Sequence, residues 1–172
     1  MKKKIISILA IAALLLASIA IPCVAETEYD LGASVEVQEY ISITITDNGT
    51  TGINFGILNP GATDSPELDS LAGSGNATIR ITVDAESNAN VDLLISGTDF
   101  IADDFTVDNA KYSTTIDGTK FDMSTTDATI DGAVDMAPDE YVNIWHWLDV
   151  PAAIPAGTYG STFSYKAIVH TP

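Results

Sequence analysis

Cysteine and positively charged residues are almost absent from this sequence of 172 residues. The single cysteine is Cys23, and the chain carries 7 Lys and Arg against 24 Asp and Glu. Because one thiol cannot form a disulfide within the chain, a hydrophobic core must supply the stability. The shortage of cations also removes the basic surface that nucleic-acid binding requires, so no nucleic-acid partner is expected.

Recognisable catalytic motifs are missing as well. The sequence has no G-x-S-x-G nucleophile elbow, no H-E-x-x-H metal motif and no paired C-x-x-C spacing. His146 and His170 are its only imidazoles. Chance pairs of carboxylates are unavoidable with this many acidic residues, so they do not indicate a glycosidase. We therefore expect that the protein is not an enzyme and has no cofactor.

Residues 1–25 have the layout of an export signal peptide. Lys2–Lys4 precede an apolar run from Ile5 to Ile21, and Cys23–Ala25 offers a small-x-small cleavage site before Glu26. The apolar run is at the short end for a membrane span. We expect a secreted, extracellular mature chain of residues 26–172 with no membrane span.

Two kinds of processing fit the end of this leader. Cleavage after Ala25 removes the only thiol, whereas lipidation would make Cys23 the first residue and anchor it to a membrane. Lipidation sites have a small residue before the cysteine, and here Pro22 stands there, so cleavage is favoured. The mature chain then keeps Arg80, Lys111, Lys120 and Lys166 against all 24 acidic residues, a difference of −20. This charge keeps a protein soluble and disfavours anionic membrane surfaces.

Apolar residues recur at every second position through most of the mature chain, which is the period of a strand with one buried face. Gly, Asn, Asp and Pro separate the runs, and Asn59-Pro60-Gly61 suits a type II turn. No amphipathic helical period follows the leader. The predicted strands cover residues 35–46, 53–58, 77–83, 91–95, 105–107, 112–115, 119–123, 141–150 and 158–170. About seven to nine short strands predict an all-β fold, an antiparallel immunoglobulin-like β-sandwich forming one domain over residues 26–172.

Two of these strands carry a prediction about pairing. The runs before Asp84 and after Asn90 are expected to form a hairpin across the short connection between them. The first strand has Glu39 on its apolar row, which predicts a bulge, a break or an edge at that point. Its other apolar positions are Val35, Val37, Ile41, Ile43 and Ile45.

The strand from Tyr141 to Val150 presents two different faces. Val142, Ile144, His146, Leu148 and Val150 alternate with a polar and aromatic row. That second row contains Tyr141, Asn143, Trp145, Trp147 and Asp149. If the aliphatic row is the core, the indoles form an exposed platform, about 7 Å apart at a rise of roughly 3.4 Å per residue, for a sugar or a neighbouring subunit. If the indoles are the core, another element must cover the aliphatic row. His146 is expected to be hydrogen-bonded or to lie at an edge.

Acidic loops and short glycosylation motifs supply further candidate sites. Asp99, Asp103, Asp104 and Asp108 cluster in an irregular segment and are weak candidates for Ca²⁺, although solvated loop carboxylates are the favoured explanation. Asn48-Gly-Thr50 and Asn76-Ala-Thr78 fit the N-glycosylation pattern, so Asn48 and Asn76 are candidate sites of a glycoprotein.

The stretch Trp145-His-Trp-Leu-Asp-Val-Pro151 followed by Pro155-Ala-Gly-Thr-Tyr159 resembles the closing strands of secreted surface sandwiches. It is similar to the ending of fibre and pilin-like proteins of the TasA and archaeal bundling-pilus type. The segment from Asn54 to Gly61 fits the same group. The resemblance implies extracellular fibres in which the N-terminal strand of one subunit completes the sheet of the next. Residues 33–46 would be that donor strand.

Two functions follow as expectations. The first is a cell-surface protein with a structural or adhesive role, a pilus or fibre subunit that binds itself or other surface proteins by strand addition. The second is an extracellular module that binds polysaccharide on the Trp145 and Trp147 face, with Ca²⁺ in the acidic loops.

Cleavage of the leader is directly testable by intact-mass measurement. Protein recovered outside the cells should begin at Glu26, because the cleavage site ends at Ala25. Replacing the small residue, Ala25→Arg, should leave the precursor uncleaved. Native protein that still begins at Met1 inside the cell would contradict every extracellular role.

Overall fold

A computed structural model describes residues 34–47, 52–68, 79–100 and 105–172, and the leader lies outside this range. The strands are β1 Ile43–Asp47, β2 Ser65–Pro66, β3 Ile79–Val83, β4 Val91–Gly97, β5 Ala110–Ser113, β6 Phe121–Asp122, β7 Ala128–Thr129, β8 Tyr141–Leu148 and β9 Phe163–Val169. A 3₁₀ turn covers Val107–Asn109. Among the described residues, no helix has the length and apolarity needed to cross a membrane.

The chain divides into a unit of residues 1–36 and a unit of residues 37–172. Of the first unit the structure describes residues 34–36, which have no regular secondary structure and are exposed. The second unit contains all the strands named above.

The strands form two antiparallel sheets, which confirms the predicted all-β sandwich. One sheet has the order β1-β3-β8-β5-β6, with β2 also paired to β8, and the other has the order β7-β4-β9. Strand β8 organises the larger sheet because its first half pairs with β3 and its second half pairs with β5. The two residues of β2 pair with the end of β8, at Leu148 and Trp147.

The core is built by the alternating rows that the sequence displays. In β3 every second residue is buried, and the same alternation runs through β4. Ile81 and Val83 from one sheet and Val91 and Leu93 from the other are fully buried, each with 0% exposure. Removing such side chains from water is the main source of stability for a domain without disulfides, roughly 1.5–3 kcal/mol for each one.

The predicted hairpin between β3 and β4 is wrong. Strand β3 pairs with β1 and β8, whereas β4 pairs with β7 and β9 in the other sheet. The connection of residues 84–90 therefore passes from one sheet to the other. A period of two shows that a strand has an apolar face, but both sheets turn such a face to the same interior, so the pattern does not identify the partner.

Three other strand predictions need correction. Residues 53–58 form no strand, and the 3₁₀ turn begins at Val107, where a strand was expected. The first predicted strand is regular only from Ile43 onward, so it begins after Glu39, as the charged residue on its apolar row suggested. In the turn, the Asp99 carboxylate accepts the Val107 N–H at 2.9 Å, a local bond that competes with strand pairing.

The predicted turns are confirmed where the structure describes them. Gly61 has φ +78°, and the Ala62 N–H donates to the Asn59 carbonyl at 3.1 Å, as a type II turn with Pro60 in second position requires. A further turn lies at Asp117-Gly118, where the Gly118 N–H donates to the Thr115 carbonyl at 3.2 Å.

Tyr159 fixes the approach to the last strand. Its hydroxyl donates to the Pro155 carbonyl at 2.7 Å, and its ring packs edge-on against Phe105 with centroids 5.7 Å apart. A Cβ at Gly157 would lie 3.3 Å from that hydroxyl, so a larger residue there would push the Tyr159 side chain by a few tenths of an ångström. A tyrosine that bonds back to the chain a few residues upstream is a feature that immunoglobulin-like sandwiches also use.

We expect Tyr159→Phe to lower the free energy of unfolding by about 1 kcal/mol, because the Pro155 carbonyl loses its donor while the ring stays in place. Denaturant unfolding at equilibrium measures this loss. Tyr141→Phe is the matched control, since Tyr141 is 55% exposed and should change stability little. Equal effects of both substitutions would show that the bond to Pro155 does not stabilise the fold.

Candidate functional site

Strand β9 is paired on one side only in the part of the chain that the structure describes. It lies at the end of the three-stranded sheet and pairs with β4 along all of its 7 residues. The Thr98 N–H donates to the Thr162 carbonyl at 3.0 Å and the His170 N–H to the Asn90 carbonyl at 2.8 Å. Backbone groups two residues apart face the same neighbour, so the even-numbered residues of β9 face β4. The odd-numbered residues therefore direct their N–H and C=O groups toward the open edge.

These odd-numbered residues also form the inward row of β9, as the sequence predicted. Phe163, Tyr165 and Ala167 pack against the core but remain only partly buried. The inward residues of the neighbouring β4 are sealed, with Leu93 at 0% and Ile95 at 2% exposure. The interior beside β9 is thus incompletely covered, and a further strand on this edge would complete it.

The outward row of β9 is exposed and partly charged. It consists of Ser164, Lys166 and Ile168, and the Lys166 ammonium lies 3.3 Å from the Asp127 carboxylate. A lysine is one of the features that limit indiscriminate pairing at open edges, because its charge opposes stacking of further sheets. The open edge is therefore apolar on its inner side and charged on its outer side.

A buried polar cluster joins β9 to the opposite sheet. His146 Nε2 lies 2.8 Å from the Tyr165 hydroxyl, and His146 Nδ1 lies 3.8 Å from Glu67 Oε2. Glu67 follows β2, and its N–H donates to the His146 carbonyl at 3.3 Å, which brings its carboxylate into the core beside β8. Exposure is 1% for Glu67 and 0% for His146, so this cluster is sealed from solvent.

Burial decides the protonation of the cluster. It lowers the pKa of His146 to about 3, so the imidazole is neutral at physiological pH. Burial and, secondarily, the Glu67 carboxylate raise the pKa of Tyr165. A neutral imidazole has one donor and one acceptor, and the bond to Tyr165 uses one of them. The hydrogen-bonded position expected for His146 is confirmed. The burial of Glu67 was not predicted, because the sequence around it has the composition of a loop.

The tryptophan platform is not present in this structure. Trp145 and Trp147 are each only 7% exposed, although the aliphatic row on the other face of β8 is also in the core. The Lys120 ammonium lies 4.5 Å from the centroid of the Trp147 ring and covers part of it. The platform required an open indole face, whereas residues 144–148 are buried on both faces of β8. This burial agrees with the alternative in which the indoles are core and another element covers the aliphatic row. The other two residues of the predicted face differ: Tyr141 is 55% exposed, and Asn143 accepts a hydrogen bond from Arg80 at 3.0 Å.

Two of the few cations converge beside the buried indole. Lys111 lies 2.7 Å from Asp149 and 3.5 Å from Asp64, and Lys120 lies 3.1 Å from Asp64. The hydrogen bond from Lys120 lowers the pKa of the Asp64 carboxyl below its ordinary value. These contacts close the face on which a sugar ring was expected to stack.

The calcium candidates are not brought together in the described part of the chain. Asp99 bonds the Val107 N–H, and Asp108 accepts a hydrogen bond from the Thr106 hydroxyl. Asp103 and Asp104 lie outside the described residues. Within the described ranges, no three His, Cys, Asp or Glu side chains are grouped as metal ligands. The candidate glycosylation residues Asn48 and Asn76 also lie outside these ranges.

The predicted donor strand divides into two parts. Residues Ile43 and Ile45 pair with β3 of the same chain, at Val83 and Ile81. Ile41 also packs against the core. In contrast, Val35 is 86% and Val37 is 74% exposed. The single chain therefore keeps the second half of the predicted donor in its own sheet and leaves the first half uncovered.

No protein-family model, curated protein or solved structure matches this chain. The resemblance to fibre and pilin-like proteins stays a prediction. The residues that carry it lie in β8 and in the loop that Tyr159 closes before β9.

The buried imidazole predicts a specific dependence of stability on pH. The unfolded chain binds a proton at His146 near pH 6.5, but the folded chain does not until about pH 3. Stability should be complete above pH 6.5 and fall as the pH decreases, by at most about 1.4 kcal/mol per pH unit. Urea unfolding at pH 7.5 and pH 5.5 measures the effect.

His146→Gln should remove most of this difference, since an amide can still bond Tyr165 but does not titrate. His170→Gln is the control and should retain the loss on acidification. Asp64, Asp84 and Asp92 have lowered pKa values, so their contribution is lost only below their ordinary value of 3.8. If His146→Gln loses as much stability between pH 7.5 and pH 5.5 as the native protein, the loss does not come from His146.

Proposed function

We propose that the protein is a secreted subunit with a structural or adhesive role at a cell surface, which assembles with further copies by strand addition. The observation that carries this proposal is the edge of β9, which has no second strand partner among the described residues and whose inward row is half-buried, in a chain that also exposes Val35 and Val37. Strand addition obtains affinity from main-chain hydrogen bonds and specificity from alternate side chains.

The proposed donor is the segment that ends at Val37. The alternation of apolar and other residues extends upstream from Val37. The odd-numbered positions form an apolar row, and the residues between them are acidic or small. The row consists of Tyr29, Leu31, Ala33, Val35 and Val37. Val35 and Val37, the two residues of this row that the structure describes, are both exposed and so are available to a partner.

The proposed acceptor supplies both requirements of strand addition. The odd-numbered residues of β9 offer backbone groups that have no strand partner within the described ranges, and their side chains are only partly buried. An extended donor gains hydrogen bonds of about 0.5–1.5 kcal/mol each, and its apolar row covers the half-buried side chains of β9. An alternating donor suits this edge, because one face meets the core and the other faces solvent.

Strand β1 also has a side without a partner among the described strands, and two differences favour β9 over it. Strand β1 has 5 residues against 7 in β9. Its inward row contains Ile43 and Ile45, and the second of these is 45% exposed, so the interior at that end is shallow. The inward row of β9 holds four residues, from Phe163 to Val169.

The polysaccharide-binding alternative has less support. It depended on exposed Trp145 and Trp147, and both indoles are closed over. Tyr141 and Asn143 remain accessible but do not by themselves make a platform. No described group of carboxylates favours the accompanying Ca²⁺ site.

The proposal is tested by charging the donor row of the mature protein, residues 26–172. Val35→Glu with Val37→Glu should abolish filaments and higher oligomers in negative-stain microscopy and size-exclusion chromatography. The folded domain should be unaffected because both positions are exposed. Ser34→Glu with Gln38→Glu adds the same charge on the opposite row and should preserve assembly.

Hydrogen exchange identifies the acceptor in the same experiment. The amides of Phe163, Tyr165, Ala167 and Val169 should exchange quickly in the charged monomer and become protected in the assembled protein. Protection confined to β1 would assign the contact to the other edge. A native mature chain that remains monomeric at all concentrations would overturn the proposed function.

A further inference from the structure

We infer that residues 38–42 form a fixed junction between the strand that the chain keeps and the strand that it donates, held by Asn88, Ser87 and Asp84. This inference rests on the proposed function and adds to it the residues that position the donor. The junction precedes β1, and its three holding residues belong to the connection between β3 and β4.

Asn88 makes the principal contacts of the junction. Its side-chain oxygen accepts the Tyr40 N–H at 2.7 Å, and its own N–H donates to the Tyr40 carbonyl at 2.9 Å. Its side-chain amide donates to the Gln38 carbonyl at 2.9 Å. One residue therefore satisfies three backbone groups of a segment that has no strand beside it.

Ser87 and Asp84 repeat this arrangement two residues further along. The Ser42 N–H donates to Ser87 Oγ at 3.0 Å, and the Asp84 N–H donates to the Ser42 carbonyl at 2.9 Å. The Ser42 hydroxyl donates to Asp84 Oδ2 at 2.6 Å, and this bond lowers the pKa of the Asp84 carboxyl. Since β3 ends at Val83, side-chain and backbone groups of the connection together bond this segment beyond the regular ladder.

The sequence marks the same boundary. The apolar row that ends at Val37 and the row that starts at Ile41 occupy the same phase, and Glu39 separates them. Glu39 is exposed. A carboxylate is costly to bury in either interior, so neither β1 nor the donated strand can extend through this residue. The side-chain bonds begin where the apolar pattern stops.

The junction has two consequences for assembly. It keeps Ile43 and Ile45 in their own sheet, so β1 is not released to a neighbour. It also orders the backbone next to the donor before binding, which reduces the conformational entropy that association must overcome. Asn88 is therefore a positioning residue that acts through the backbone of Gln38 and Tyr40.

Asn88→Ala in the mature chain tests the inference. We expect the Tyr40 amide to exchange at least tenfold faster in the monomer, while the core amides of β3 and β4 keep their protection. The concentration for half-maximal assembly should rise roughly tenfold, the size expected when two modest hydrogen bonds are lost. Asn88→Asp retains the acceptor for Tyr40 but loses the donor to Gln38. Its Tyr40 exchange rate and its assembly concentration should lie between those of the native protein and of Asn88→Ala.

Asn90→Ala is the matched control, because Asn90 ends the same connection but donates to Asp135 at 2.8 Å. It should leave Tyr40 exchange and assembly unchanged. Normal assembly or normal Tyr40 protection in Asn88→Ala would overturn the junction even if the native chain forms filaments. If the native chain does not assemble, the proposed function fails, while fast Tyr40 exchange in Asn88→Ala would still establish the contact itself.

Discussion

The ladder between β4 and β9 is the interaction on which the proposed assembly depends, because it holds β9 from one side only. Seven residue pairs fix the strand to β4, and the Tyr165 hydroxyl ties it across the interior to His146. These contacts hold the inward row in place without covering it. A strand that is held in place on one side and lacks a partner on the other gives an incoming chain a preorganised edge to pair with. A mobile terminal strand would first have to be ordered, which costs binding free energy.

The buried polar cluster makes this arrangement specific at a cost in stability. An aliphatic side chain in place of His146 would pack without a desolvation penalty, and buried polar groups are usually retained for specificity instead. Here the bond between His146 and Tyr165 fixes which face of β9 turns inward. It also fixes the position of β9 along the length of β8. A one-residue slip of β9 would turn Tyr165 to the outside and leave the imidazole without this partner.

The sequence was informative where local chemistry decides the structure. Alternation identified the inward rows of β3, β4 and β9 but left two choices for β8, and Pro60-Gly61 predicted its turn. It was misleading where tertiary pairing decides: β3 and β4 read as a hairpin but belong to different sheets. The closing of β2 and Lys120 over the indoles, and the entry of Glu67 into the core, depend on contacts across the fold that no local pattern encodes. The open edge and the junction at Asn88 could be found only once the pairing of β1 and β9 was known.

Both tryptophans of the chain lie in the buried part of β8, within three residues of each other. The fluorescence of these tryptophans therefore reports on the environment of β8 in the larger sheet. Indole emission should be blue-shifted and poorly quenched by iodide while β8 is covered, and red-shifted once that strand is released into water. Because neither ring lies on β9, the signal should follow loss of the sandwich and ignore docking at its edge, so folding and association can be separated without any label.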